Sequence, residues 1–233
     1  MIVHCLFEQS GTFRDEFRKL GFESYDYDID NQFGKTDYQI DIFQEIQNGY
    51  QGKPSIFDNI TDGDLIFAFF PCTRFSALNA STFSEKAVNY KTWSRVEILE
   101  QCMKYNEQQS HLYRLMSMLF IIALKKKFKM VVENPYTQPH FLTLYFPIKP
   151  SIIDSDRRLL GDVYCKPTQY WFINFEPKNN KLVKDKQFNF GPKRNHSVRV
   201  MDTPRGISRS LIAPEYAKNF IMKYILNANG EIL

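Results

Sequence analysis

The chain has 233 residues, of which 43% are hydrophobic and 24% charged, with a net charge of +4. That length buries a core without metal or disulfide staples, the composition excludes disordered and fibrous classes, and the mild positive charge permits a nucleic-acid partner without demanding one. Four cysteines at long irregular spacings (Cys5, Cys72, Cys102, Cys165) make no zinc pattern, the start MIVHCLFEQSG has no leader pattern, and no apolar run is long enough to span a bilayer. Free thiols in a reducing cytoplasm, with no membrane, are the expectation.

In chain order, Ile2 to Phe7 is a short apolar run followed by Ser10-Gly11, the pattern of a strand entering a tight turn. Thr12 to Leu20 predicts a helix, with Gly21 at its C-terminal end. Phe22 to Ile29 alternates aromatic and polar residues and predicts a second strand. The chain thus opens β-turn-α-β, the start of a parallel α/β sheet. Ile42 to Asn48 reads as a short helix or turn. Asp64 to Phe70, DLIFAFF, is a continuous apolar run after Asp62-Gly63 and predicts a buried central strand that stops at Pro71-Cys72.

Ala77 to Thr92 reads as a loop carrying Lys86 and Lys91. Arg95 to Lys127 is the longest helical stretch, with Leu112, Leu115, Met116, Leu119, Phe120 and Ala123 at three- and four-residue steps. Lys125, Lys126 and Lys127 fall at its C-terminal end, where cations favour the helix dipole. Met130 to Val132 predicts a short strand ending at Glu133-Asn134-Pro135. From Thr137 to Phe190 aromatics, prolines and basic residues dominate and periodicity is poor, apart from a candidate strand at Tyr170 to Phe175. Pro214 to Leu226 predicts the last helix, with Tyr216, Ala217, Phe220, Ile221 and Tyr224 on one face.

Two strand ends carry chemistry. A strand that stops at Pro71-Cys72 presents a thiol at the carboxyl edge of the sheet, where ligands of open parallel sheets sit. Alone, Cys72 reads rather as a buried structural cysteine. Glu133 emerges at the same edge after the next strand, and alone reads as a loop-bracing carboxylate. Together they form a pair suited to a flat ring: a thiolate that adds to cytosine carbon 6 and an acid that hydrogen-bonds ring nitrogen 3 make carbon 5 nucleophilic. The histidines His4, His111, His140 and His196 are scattered, and His140 reads as a hydrogen-bonded loop residue. Trp93 and Trp171 read as packing residues, Trp171 being the one that a site would use. Lys193, Arg194, Arg199, Arg205 and Arg209 form a basic tract that suits either a solvated face or phosphate contact.

The segment PCTRFS resembles the Pro-Cys-Gln-x-Phe-Ser loop of DNA cytosine-5 methyltransferases, and ENP resembles their Glu-Asn-Val motif, in the same order with a helix between. FEQSGTFRDEFRKLGF looks like a variant of that family's first, cofactor-cradling motif. CKPTQYW looks like a segment of small phage and bacterial members, and RGISRSLIAPEYAKNFI like the closing motif. Thr73 stands in place of the family's glutamine, Pro135 in place of its valine, and only Gly11 remains of the multi-glycine turn. Arg157 and Arg158 are the nearest candidates for its Gln-x-Arg-x-Arg motif, and the usual large target-recognition domain has no counterpart.

The resemblance implies a Rossmann-like class I fold with a mostly parallel sheet and helices on both faces. It implies an α/β core at residues 1–145, a small irregular insertion at 146–204 and a returning C-terminal helix at 205–233. It also implies S-adenosylmethionine as cofactor, no metal, and DNA as partner with the target cytosine flipped from the stack. A protein partner supplying target recognition is a further expectation. Carried over residue by residue, Cys72 is the nucleophile, Glu133 the acid and Asn134 its brace. Phe7, Ser10, Gly11, Thr12, Asp28 (Asp30 the alternative), Asp41, Ile42 and Pro71 are expected at the cofactor. Arg74, Ser76, Arg158, Lys166 and Thr168 are expected at the substrate. Two other readings stay open: a catalytically silent relative, such as a phage-borne modulator, and an enzyme modifying free pyrimidine nucleotides.

Overall fold

Strand β1 (Ile2–Leu6) lies inside the sheet because both its faces are apolar, Val3 and Cys5 on one side and Leu6 on the other. The structure, a computed structural model, describes residues 1–75, 81–85, 87–136, 141–178 and 211–233. Beyond β1 come β2 (Glu23–Asp28), β3 (Tyr38–Gln39), β4 (Leu65–Phe69), β5 (Lys129–Pro135), β6 (Ile152–Asp154) and β7 (Thr168–Ile173). They form one seven-stranded sheet in the order β3-β2-β1-β4-β5-β7-β6. The first five strands run parallel; β7 is antiparallel to both β5 and β6.

The helices are α1 (Thr12–Lys19), α2 (Ile42–Tyr50), α3 (Arg95–Lys126), α4 (Phe141–Tyr145) and α5 (Pro214–Phe220), the last continued by one π-helical turn over Ile221–Ile225. Alternate strand residues send side chains to opposite faces, and each face is covered. Phe13 and Phe17 of α1 and Tyr216, Ala217 and Phe220 of α5 pack on Val3, Cys5, Leu65, Phe67, Val131 and Tyr170. On the other face, Ile42 and Ile46 of α2, Leu115, Leu119 and Phe120 of α3, and Leu142 of α4 pack on Leu6, Ile66, Ala68, Val132 and Trp171. The expected α/β architecture, mostly parallel with helices on both faces, is present.

Two expectations change. Strand β5 does not stop before Glu133 but runs through Pro135, because β7 continues to pair with it from Glu133 to Pro135. The segment expected as a small irregular insertion with one candidate strand at Tyr170 to Phe175 supplies two strands to the sheet: β7, which overlaps that candidate and starts two residues earlier, and β6, which was not expected; residues 179–204 lie outside the described residues. Every residue of β7 is buried, so the strand shows no alternation of apolar and polar residues. Among the described residues no helix is long and apolar enough to cross a membrane.

The chain moves outward from β1 to β2 and β3, then returns through α2 to place β4 on the other side of β1. The chain leaving β1 and the chain leaving β4 therefore turn to opposite sides of the sheet, and such a switch point is where ligands of open α/β sheets bind.

Candidate active site

Cys72 and Glu133 meet at the carboxyl end of the two central strands. Glu133 lies directly across from Phe69, the last residue of β4, and Cys72 follows three positions later. The turn that carries the thiol is built tightly. The Cys72 carbonyl accepts the Phe75 amide at 2.9 Å, and Phe75 is buried beneath the turn between the rings of Phe70 and Phe141. The Asn134 side chain donates to the Phe70 carbonyl at 2.8 Å and so braces the entry to the loop. Burial raises the Cys72 pKa, the Glu133 charge raises it further, and the Lys166 charge lowers it. Cys72, Glu133 and Lys166 thus share one electrostatic environment. Glu133 is buried, and its Oε1 finds no hydrogen-bond partner among the described residues; the same holds for Asn134 Oδ1. Such orphaned polar atoms are rare in protein interiors and point to a ligand or water.

The turn after β1 is held from within. Gly11 adopts φ 64°, and a Cβ there would lie 2.3 Å from Arg14 Nη2, so glycine is required on two counts. Glu8 is buried beneath the turn and caps α1: its Oε1 accepts the Phe13 amide at 2.6 Å and its Oε2 the Arg14 amide at 3.2 Å. Burial outweighs these two bonds and pushes the Glu8 pKa up to about 7. Arg14 is itself buried and binds Asp26 at 2.8 Å, which ties α1 to β2. Phe7, at φ 60°, packs its ring against Phe43 and Phe70 just past the end of β1. Ser10 and Thr12 hydroxyls meet at 3.0 Å across the turn.

At the end of β2, Asp28 is buried and accepts the Asp30 amide at 2.8 Å, while Asp30 is exposed. Burial raises the Asp28 pKa. Asp41 serves as the N-cap of α2, its Oδ1 accepting the Phe43 and Gln44 amides at 2.9 and 3.2 Å. Ile42 is buried in the core and offers no side-chain surface to a ligand. Pro71 is half-buried between Phe70 and Cys72.

On the substrate side, Arg74 lies over the Tyr105 ring at 4.1 Å and donates to Gln108 Oε1 at 2.7 Å, anchoring the Cys72 loop to α3. Thr168 is fully buried and its hydroxyl donates to the Lys166 carbonyl, so it braces Lys166. Arg158 pairs with Asp156 near the surface, whereas Arg157 is fully buried and close enough to Glu133 to feel its charge. Arg157 ion-pairs with Asp162, and its Nε and Nη1 have no hydrogen-bond partner among the described residues. Trp171 is a core residue, its indole donating to the Ile148 carbonyl at 2.8 Å. Ser76, His140 and the basic tract from Lys193 to Arg209 lie outside the described residues. Among the described residues no group of three or more His, Cys, Asp or Glu side chains is placed to hold a metal ion.

Sequence reasoning missed Glu8 as the cap and did not separate Arg157 from Arg158. The Glu8 signal was present as an acidic residue before Ser10-Gly11 and five before Phe13, but only the folded turn brings it onto the helix. No family model matches the chain, and no curated protein is detectably similar to it.

Proposed function

We propose that the protein is a class I S-adenosylmethionine-dependent methyltransferase acting on carbon 5 of cytosine in DNA. The observation that carries this reading is the convergence of Cys72 and Glu133 on neighbouring strand ends, with Glu133 Oε1 buried and unpartnered. A carboxyl oxygen held this way is available to a ring nitrogen, and the guanidinium of Arg157 nearby keeps two donors for a ring carbonyl or for water. Cys72, as thiolate, forms a bond to ring carbon 6 while Glu133 hydrogen-bonds nitrogen 3, which moves electron density to carbon 5. Carbon 5 would then take the methyl group that bound S-adenosylmethionine supplies, with S-adenosylhomocysteine as leaving group; transfer of the carbon 5 proton to water and departure of the Cys72 sulfur as thiolate restore the aromatic ring and the free enzyme.

The turn after β1 supports this cofactor by a specific exclusion. A dinucleotide or nucleoside phosphate needs the free amides at a helix N-terminus. Here the Phe13 and Arg14 amides are already taken by the Glu8 carboxylate, so a phosphate has no seat on them. A phosphate-free, cationic nucleoside suits such a turn. Phe7, Ser10, Gly11, Thr12, Pro71 and Asp28, with Asp30 the alternative ribose partner, would hold it, and Asp41 stands at the near end of α2. S-adenosylmethionine supplies an electrophilic methyl group when bound there.

A second reading, a free cytosine nucleotide as substrate, is favoured by one observation. With β6 and β7 committed to the sheet, less of the 146–204 segment is left to read a duplex. The deciding experiment incubates native protein and Cys72→Ala with mixed-sequence DNA and S-adenosylmethionine, then weighs the nucleosides by mass spectrometry. The expected outcome is 5-methylcytosine with the native protein alone. Cofactor binding by calorimetry without any modified base would shift the assignment to nucleotides. Absence of both product and cofactor binding would leave a silent relative.

A further inference from the structure

The C-terminal helix reaches the back of the site through a side chain that the proposed reaction does not use. Tyr216 of α5 is fully buried and donates its hydroxyl to Asp154 Oδ2 at 2.9 Å. The Tyr216 hydroxyl oxygen also shares a 2.7 Å hydrogen bond with the Tyr170 hydroxyl. A hydroxyl carries one hydrogen; that of Tyr216 goes to Asp154, so Tyr170 is the donor to Tyr216. The chain therefore runs in one direction, from Tyr170 through Tyr216 to Asp154. Tyr170 stands directly across from Glu133 in the β5–β7 ladder. The face of the Tyr216 ring carries the Arg157 guanidinium, 4.5 Å from the ring centroid.

Arg157 is fully buried, and two of its nitrogens lack hydrogen-bond partners among the described residues. What fixes its orientation is the ion pair to Asp162 on one side and the Tyr216 ring on the other. A desolvated cation over an aromatic face is held more strongly than an exposed one. A tyrosine needed only to fill the core would be served by its ring alone. Here the hydroxyl is pinned at both ends, and a satisfied buried network of this kind makes the ring rigid.

We propose that Tyr216 is a positioning residue for Glu133: its hydroxyl, locked between Asp154 and Tyr170, sets the plane on which Arg157 rests, and Arg157 in turn faces the charge of Glu133, through which it reaches Cys72. This rests on the reading of Cys72 and Glu133 as one site. The charged groups that act on Cys72 are Glu133 from β5 and Lys166 from the loop before β7. Those around Tyr216 are Asp154 from β6, Arg157 from the turn after it, and Tyr170 from β7. Glu133 also acts on both Arg157 and Tyr170, which links the two groups.

The test is the pH profile of Cys72 alkylation by iodoacetamide, followed on the Cys72 peptide by mass spectrometry, and it needs no substrate. Glu133→Gln removes the charge that opposes the thiolate and is expected to move the midpoint down by about one unit. Tyr216→Phe frees Arg157 from its fixed plane, leaves the Glu133 charge less screened, and is expected to move the midpoint up by about half a unit. In the double variant the Tyr216 effect disappears, because the charge it modulates is gone. If Tyr216→Phe overlays the native profile, moves it downward, or keeps its effect in the double variant, the positioning role is overturned while the Cys72–Glu133 pair stands. If Glu133→Gln leaves the profile unchanged, the pair itself falls and the positioning role with it. Should Tyr216→Phe prove unfolded by circular dichroism, Tyr170→Phe carries the same test. It keeps both rings, changes no charge and removes the bond that holds the Tyr216 hydroxyl at one end, with an upward shift again expected.

Discussion

The Asn134 side-chain amide donates to the Phe70 carbonyl at 2.8 Å, and both groups belong to strands that have just passed their last shared ladder pair, Phe69 and Glu133. Backbone pairing between β4 and β5 ends there. The side-chain bond takes over where the ladder stops and keeps the Cys72 turn in register with Glu133.

Asn134→Ala is therefore expected to cost about 1–3 kcal/mol, since a carbonyl in this buried setting loses its donor. Urea unfolding of the two proteins measures the cost. Turnover is expected to fall by more than the unfolded fraction accounts for, because the Cys72 turn is released. A variant as stable and as active as the native protein would show that the bond holds nothing.

Gly11→Ala places a Cβ where φ is 64° and Arg14 Nη2 is 2.3 Å away. Strain at the positive φ alone costs about 1 kcal/mol, and displacement of Arg14 from Asp26 adds to it. The expected result is a lower thermal midpoint together with weakened cofactor binding by calorimetry. Unaltered cofactor affinity would remove the turn from the binding site.

Glu8 predicts a pH dependence of stability. Its pKa rises from 4.5 when unfolded to about 7 when folded. Below 4.5 both states are protonated and the full stabilising contribution is present. Between those values the unfolded state loses its proton first, so this contribution falls as pH rises and is gone above about 7. The full span corresponds to about 3 kcal/mol. Denaturant midpoints from pH 4.5 to 8, compared between native protein and Glu8→Gln, isolate this group from the other buried carboxylates; the native slope is expected to be steeper. Parallel curves would contradict the assignment.

Lys166 opposes the burial that disfavours the Cys72 thiolate. Lys166→Met is expected to slow Cys72 alkylation at pH 8 about threefold, the effect of half a unit in pKa. Thr168→Val, which removes the hydroxyl bond to the Lys166 carbonyl, is expected to act in the same direction and more weakly. An unchanged rate in Lys166→Met would place that cation away from the thiol.

The core of the site was legible because it lies where simple patterns end. DLIFAFF and MVV are continuous apolar runs that must be buried, and Cys72 and Glu133 sit where those runs meet polar or turn-forming residues. Parallel neighbours in one sheet bring such ends to the same edge, and it is the β4–β5 pairing that makes these two neighbours. The turn after β1 was legible for the same reason, through Ser10-Gly11.

Only the tertiary structure decided which of two adjacent arginines turns inward. Arg157 and Arg158 are chemically identical neighbours, and the selection comes from Asp162 and the Tyr216 ring, the latter 59 positions along the chain from Arg157 and the former brought to it by the turn at Gly161. It also decided that the candidate strand near Tyr170 lies inside the sheet, between β5 and β6 and antiparallel to both, since a strand buried on both faces carries no alternation to read. Glu8 shows the same limit: its identity is local, but its role as a helix cap exists only once the turn closes and its carboxylate has exchanged water for two backbone amides. Continuous burial and turn chemistry are written along the chain; the choice among equivalent polar side chains depends on which partners folding has already taken out of water.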